Sequence, residues 1–362
     1  MIEKEMISPN RFQYYMTLRR EEKQPLCEIK FELDEIVSVC NIIELPIIIG
    51  NNNSKKYIAI GINIIEDKQG EDNYINGKIK FYYKYNGKLE FVKEKSGFKG
   101  IITMIQSLYN FIFVGEGSRI NIYQFYPDEE FKMNILYYME NKNLGICNRI
   151  ANKLLLTGDI VDSFNLMYIR HLLNNNSIDI IVAAKDNNHI KITTCNLWTV
   201  KELHFCILFD EDNNGYIYFL DNNSPRICDF HINKNINEIR ADTYKNKNQN
   251  EYYSYYYSSL NGSIGFINHI ENDIYEKLNY LCEFIYYHFP FNSGVNPKLF
   301  YSLNYENDSN NNFQKPKGRF IDFKILDIFL KLSDKMQDII CRNVLGIDDK
   351  NIIIKNIYDL ID

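Results

Sequence analysis

The chain has 362 residues, with 47 acidic against 41 basic side chains and a formal charge of −6, which excludes the overall basic surface of a protein that grips phosphate backbones everywhere. A chain this long can bury about three quarters of its unfolded surface, enough for one large β domain plus a smaller module. With 45% hydrophobic residues it is globular rather than disordered. The longest apolar stretches, such as Leu45 to Ile49, fall far short of the roughly 18 to 20 residues that cross a bilayer, so a soluble protein is expected. Eight cysteines at positions 27, 40, 147, 195, 206, 228, 282 and 341 have no disulfide-framework spacing and read as reduced intracellular thiols.

In chain order, residues 1–26 are charged and read as a ragged N-terminal segment, with regular structure beginning near Cys27. Short apolar runs bounded by Asn, Gly and Asp then predict strands over 35–45, 56–65, 75–85, 88–92, 101–107, 111–116 and 119–126. Asn86-Gly87 is the strongest hairpin signal, because both residues accept the positive φ of a type I′ turn. Gly115 to Ser118 turns the next pair, and more β follows from Leu136 to Phe230. No crossover helix separates these pairs, so repeated antiparallel sheets are expected, filling 27–250 as blades of a β-propeller. Rhythm alone supports the propeller, since no WD or kelch signature repeats. Asn triplets at 51–53, 174–176 and 310–312 are loop filler.

The segment Ser258-Ser259-Leu260-Asn261-Gly262-Ser263-Ile264-Gly265-Phe266-Ile267 marks a change of period, so 251–270 reads as returning strands and 271–362 as a helical domain. From Glu271, Ile274, Leu278, Leu281, Ile285 and Phe289 follow helical steps, with Asn272 as N-cap and Pro290 as the stop. Asn296-Pro297 opens a short helix through Leu303, and Asn307 to Gly318 is a polar loop. Helices over 322–332, 334–345 and 349–361 complete the bundle, with Gly346 as a stop. The fold class is therefore mainly β, a partial propeller of antiparallel blades followed by a small C-terminal α-helical domain.

Leu260 to Ile267, and Arg319-Phe320-Ile321-Asp322 followed by Leu326, Phe329 and Leu330, resemble the C-terminal region shared by three propeller scaffolds. These are the large subunits of the cleavage and polyadenylation specificity factor and of the damaged-DNA-binding complex, and the propeller subunit of splicing factor 3b. Gly97 to Met104 and Gly117 to Tyr123 are similar to the family's strand-turn-strand passage. Asn292 to Phe300, and Leu345-Gly346-Ile347 with Ile352 to Ile354 and Leu360, resemble the polyadenylation branch, whereas Asp334-Lys335-Met336-Gln337 is similar to the damaged-DNA-binding branch. Phe323 stands where the family usually has Gly, which puts the local turn in question. The resemblance implies one part of a longer three-propeller architecture, with sheet edges and apolar faces left for the rest of the protein or a partner.

Few residues carry chemistry. Asp210, Asp212, Asn214, Gly215 and Asp221 fall at calcium-loop positions, but the flanks read as strands, so a hairpin turn is expected. Cys195, His204, Cys206, Cys228 and His231 form the only Cys/His gathering, without a Cys-x-x-Cys knuckle. They read as buried small groups rather than zinc ligands. Tyr252 to Tyr257 could stack on RNA bases beside Lys245 and Lys247, or equally form a strand with tyrosines on both faces. Gly115-x-Gly117 lacks the third glycine of a dinucleotide loop, with Ile120 in its place. His171, His189, His269 and His288 have no nearby partner that would activate a nucleophile.

No catalytic, cofactor-binding or metal residue is expected, and no cofactor. The resemblance implies a nuclear, non-enzymatic scaffold of pre-mRNA 3′-end cleavage and polyadenylation. Its partners would be other subunits, with RNA met indirectly or weakly, no membrane and no small-molecule substrate. The alternative is an adaptor of a damaged-DNA-binding ubiquitin-ligase complex or the splicing factor 3b subunit.

Overall fold

The computed structural model describes residues 2–8, 11–18, 27–33, 35–46, 54–68, 71–86, 88–126, 132–140, 145–151, 153–161, 163–172, 177–186, 190–200, 203–220, 226–232, 234–245, 251–289 and 320–360. Two compact units divide the chain, Met1–Thr193 and Thr194–Asp362.

The first unit opens with a three-stranded antiparallel sheet, β1 (Ile2–Ser8), β2 (Arg11–Leu18) and β3 (Cys27–Lys30). Strands thus occupy part of 1–26, where the charged sequence lacks the apolar alternation that marks a half-buried strand. Three four-stranded meanders follow. The first contains β4 (Glu35–Pro46), β5 (Ser54–Lys68), β6 (Glu71–Tyr85) and β7 (Lys88–Phe98). The second contains β8 (Ile102–Leu108), β9 (Phe111–Glu116), β10 (Arg119–Tyr126) and β11 (Lys132–Glu140). The third contains β12 (Gly145–Ala151), β13 (Leu154–Asp159), β14 (Phe164–Leu172) and β15 (Ser177–Lys185).

Period-two alternation explains how these sheets stack. In β9, Phe111 and Phe113 enter a cluster with Leu155, Met167 and Ile169 of the following sheet. Ile112 and Val114 enter the opposite cluster with Ile43, Leu45, Ile79 and Phe81 of the preceding one. A strand covered on both faces needs apolar residues at every position, which is why Phe111 to Val114 reads as a continuous run. Polar stitches fix the spacing: Ser38 Oγ donates to the Ile102 carbonyl at 2.7 Å, and the Ile102 N–H donates to Asn63 Oδ1 at 3.0 Å. Gly61 is required at this contact, since a Cβ there would stand 2.8 Å from Ile102 Cγ2.

The second unit holds the four-stranded meander β16 (Ile192–Val200), β17 (Leu203–Asp210), β18 (Asn214–Phe219) and β19 (Arg226–His231). A three-stranded sheet follows, β20 (Ile236–Lys245), β21 (Glu251–Ser259) and β22 (Ile264–Asn268). Four described helices close the chain: α1 (Asn272–His288), α2 (Phe323–Leu330), α3 (Asp334–Val344) and α4 (Lys350–Tyr358). The expected mainly-β fold, antiparallel propeller blades with C-terminal helices, is the fold observed.

The helical register agrees with the sequence. Leu278, Leu281 and Ile285 are buried against Leu326, Phe329, Ile340 and Ile353, with Ile274 and Phe289 packed at the margin. α1 is capped one residue earlier than expected, at Glu271, without a side-chain cap bond. Asp322 caps α2 by accepting the Lys324 N–H, so Phe323 simply begins the helix where a glycine was the family pattern. Gly346, at φ +64°, ends α3, and the Ile347 N–H returns to the Cys341 carbonyl at 2.9 Å. The expected helix over 296–303, the loop over 307–318, Gly87 and Pro290 lie outside the described residues.

Candidate interaction surface

The polar candidates of the sequence are consumed by structure. Asp210 ends β17 and Asn214 begins β18, so the calcium-like run is a hairpin with strand flanks, as expected. Asp210 Oδ1 accepts the Asn214 N–H at 2.8 Å, and Oδ2 accepts Asn214 Nδ2 at 2.9 Å and the Tyr216 hydroxyl at 2.7 Å. His231 Nδ1 lies 3.1 Å from Asn214 Oδ1. Burial pushes the Asp210 carboxyl up from its usual range, against the pull of these donors, and burial pushes the His231 imidazole down despite Asp212. The carboxylate locks a turn.

The Cys/His gathering is separated by the pleat. Cys206 pairs across from Tyr218, while Cys228 pairs across from the adjacent Ile217. Directly opposed residues share a face and successive residues do not, so the two thiols lie on opposite faces of one sheet. Among the described residues no group of three or more His, Cys, Asp or Glu could hold a metal. Gly115 and Gly117 belong to the β9–β10 hairpin: a Cβ on Gly115 would meet Thr103 Oγ1 at 2.6 Å, and Gly117 has φ +56°. His288 rests on Phe284 with ring centroids 4.3 Å apart. His189 and the side chain of His171 lie outside the described residues.

A buried ionic knot lies in the first unit. Glu35, 1% exposed, accepts from Lys78 and, at 2.8 and 3.0 Å, from Lys80, and from the Glu32 N–H at 3.0 Å. Burial alone would raise its pKa, but these donors outweigh it and hold the carboxyl below its usual range. Burial of Tyr82 beside Glu35 and Glu94 pushes its phenol up to about 12.

The tyrosine run divides by face. Tyr255 is buried, its ring 4.5 Å from that of Trp198, while Tyr256 is 48% exposed on the other face. Cross-strand pairing sets Tyr256 opposite Phe266, and Ser258 opposite Ile264. Phe266 and Ile264, exposed by 46% and 77%, therefore share the outer face with Tyr256. Leu260, 71% exposed, extends the row into the turn. The Leu260-to-Ile267 motif now has a physical reading. Gly262 takes φ +82° in the hairpin, where Ser259 Oγ and the Ser263 N–H bond Asn261 Oδ1 at 2.5 and 3.1 Å. Gly265 leaves its inner face bare because the Tyr257 ring lies where a Cβ would be. Asn268 donates to the Leu360 carbonyl at 2.6 Å, tying the sheet to the end of the tail. Sequence reasoning gave the strand, but not this outer row, which only cross-strand register reveals.

Antiparallel blades carrying a helical bundle, with one exposed apolar row on an outer face, fit a propeller-type scaffold subunit. The sequence model of the CPSF A subunit region matches residues 15–331, most of the chain, and the chain belongs to that family. No curated protein matches it. Among the described residues no helix is long and apolar enough to cross a membrane.

Proposed function

We propose that the chain is a non-enzymatic scaffold segment of the nuclear machinery that cleaves and polyadenylates pre-mRNA, holding partner subunits on its blade and helical surfaces. The observation that carries the reading is the uncovered row of Tyr256, Leu260, Ile264 and Phe266, in a chain of the CPSF A subunit region family. Contiguous apolar surface costs free energy in water and is relieved when a partner covers it. Work is done by surfaces, and RNA is met mainly through the partners.

A damaged-DNA-binding adaptor is the second reading, favoured by Asp334-Lys335-Met336-Gln337 at the start of α3, where Met336 is 40% exposed. Affinity purification of the tagged chain from its own cells, with mass spectrometry, separates the two. Endonuclease and zinc-finger subunits of 3′-end processing support the first reading, and a cullin ligase supports the second. Splicing factor 3b subunits, or the chain recovered alone, contradict both.

A further inference from the structure

α1 turns two tyrosines into solvent. Its buried side is set by Leu278, Leu281 and Ile285, and at about 100° per residue the opposite pole falls on Glu276, Tyr280, Glu283 and Tyr287. Tyr280 is 66% and Tyr287 79% exposed, the most open of the large hydrophobic side chains on the described helices. Rings this exposed contribute little to folding. From this stripe we propose that α1 is a docking face for an arginine-bearing helix of a partner protein.

The steps along the pole are four, three and four residues, the seam spacing of two helices packed side by side. An ordinary seam is apolar, but this one alternates carboxylate and ring. A guanidinium suits that alternation, since its plane stacks on a tyrosine face while its N–H fork meets a carboxylate one turn away. Asn272 Nδ2 donates to Glu276 Oε1 at 3.1 Å, which holds that carboxylate against its own helix.

Charge decides among occupants. The basic residues of α1, Lys277 and His288, lie about a quarter-turn from the pole, so neither sits between the rings. A second copy of α1 would bring more acid and no cation to the seam. A purely apolar helix would cover the rings but leave the carboxylates without a partner on its side. Arginines at seam spacing meet both.

The test is fluorescence anisotropy with the full chain and a labelled alanine-based helical peptide of about 20 residues, its arginines spaced three and four apart. Twins with lysine or leucine in place of arginine probe charge alone and apolar contact alone. The arginine peptide should bind, and Tyr280→Ala with Tyr287→Ala, both exposed changes, should weaken it about five- to thirtyfold. Glu276→Gln should cost about two- to fivefold, less in high salt. Tyr280→Phe with Tyr287→Phe should keep the binding, because the ring faces remain. Tyr358→Ala, at a 51% exposed site on α4, should leave it unchanged. No binding, an equal loss in Tyr358→Ala, equal binding of the lysine twin, or tighter binding of the leucine twin overturns the proposal. Such docking rests on the scaffold reading for its partner, but peptide binding and partner recovery are measured apart, so either can fail without the other.

Discussion

Asp210 shows how much one side chain can settle. Its carboxylate joins two strands through Asn214 and Tyr216, so Asp210→Ala would remove three hydrogen bonds from a buried turn. A loss of about 2 to 4 kcal/mol is expected, because each unsatisfied group costs about 1 to 3 kcal/mol. Urea unfolding measures it, and Tyr216→Phe in the same background should cost little more, since Asp210→Ala has already removed the bond the Tyr216 hydroxyl makes to Asp210. Glu35 offers a test by pH. Its folded pKa lies below its ordinary value, so its contribution is present above the usual glutamate range and is lost as pH falls through the folded pKa. Glu35→Gln should therefore cost about 3 to 5 kcal/mol at neutral pH, because it leaves Lys78 without a buried partner. The gap to the parent should narrow as pH drops below the usual glutamate range and through the folded pKa. A gap that ignores pH would mean that packing, not charge, holds the knot.

At the scale of elements, the sequence was most legible where one periodicity ran unbroken. The helix over 272–288 was readable because Leu278, Leu281 and Ile285 repeat at helical spacing, and the inner strands because both of their faces are apolar. Legibility failed at charged ends: β5 and β6 extend to Lys68 and Glu71, where hydrogen bonds continue although the side chains no longer alternate. β7 runs to Phe98, beyond the expected Val92, through bulges that break period two. The outer apolar row was harder still, because it depends on which strands lie side by side and not on any local motif. Leu281→Asp should unfold the helical tail by placing an unpaired charge at a fully buried site. Loss of helical circular dichroism on mild heating checks this, and a melting curve like the parent's would contradict the helix register. Gly265→Ala should destabilise the β21–β22 hairpin by displacing the Tyr257 ring, read as faster amide exchange along Ile264–Asn268.

For the whole molecule, the proposed scaffold works through its surfaces. Ile264→Asp with Phe266→Asp adds charge where the side chains are 77% and 46% exposed, so melting should change little while apolar association is removed. The most direct measurement is affinity purification of the tagged parent and this double variant from the same cells, with co-purifying proteins quantified by mass spectrometry. The account predicts 3′-end processing subunits with the parent, and their loss of tenfold or so with the equally stable variant, as a buried hot spot would give. Equal recovery from both, or partners from a ligase or spliceosomal assembly, would contradict it.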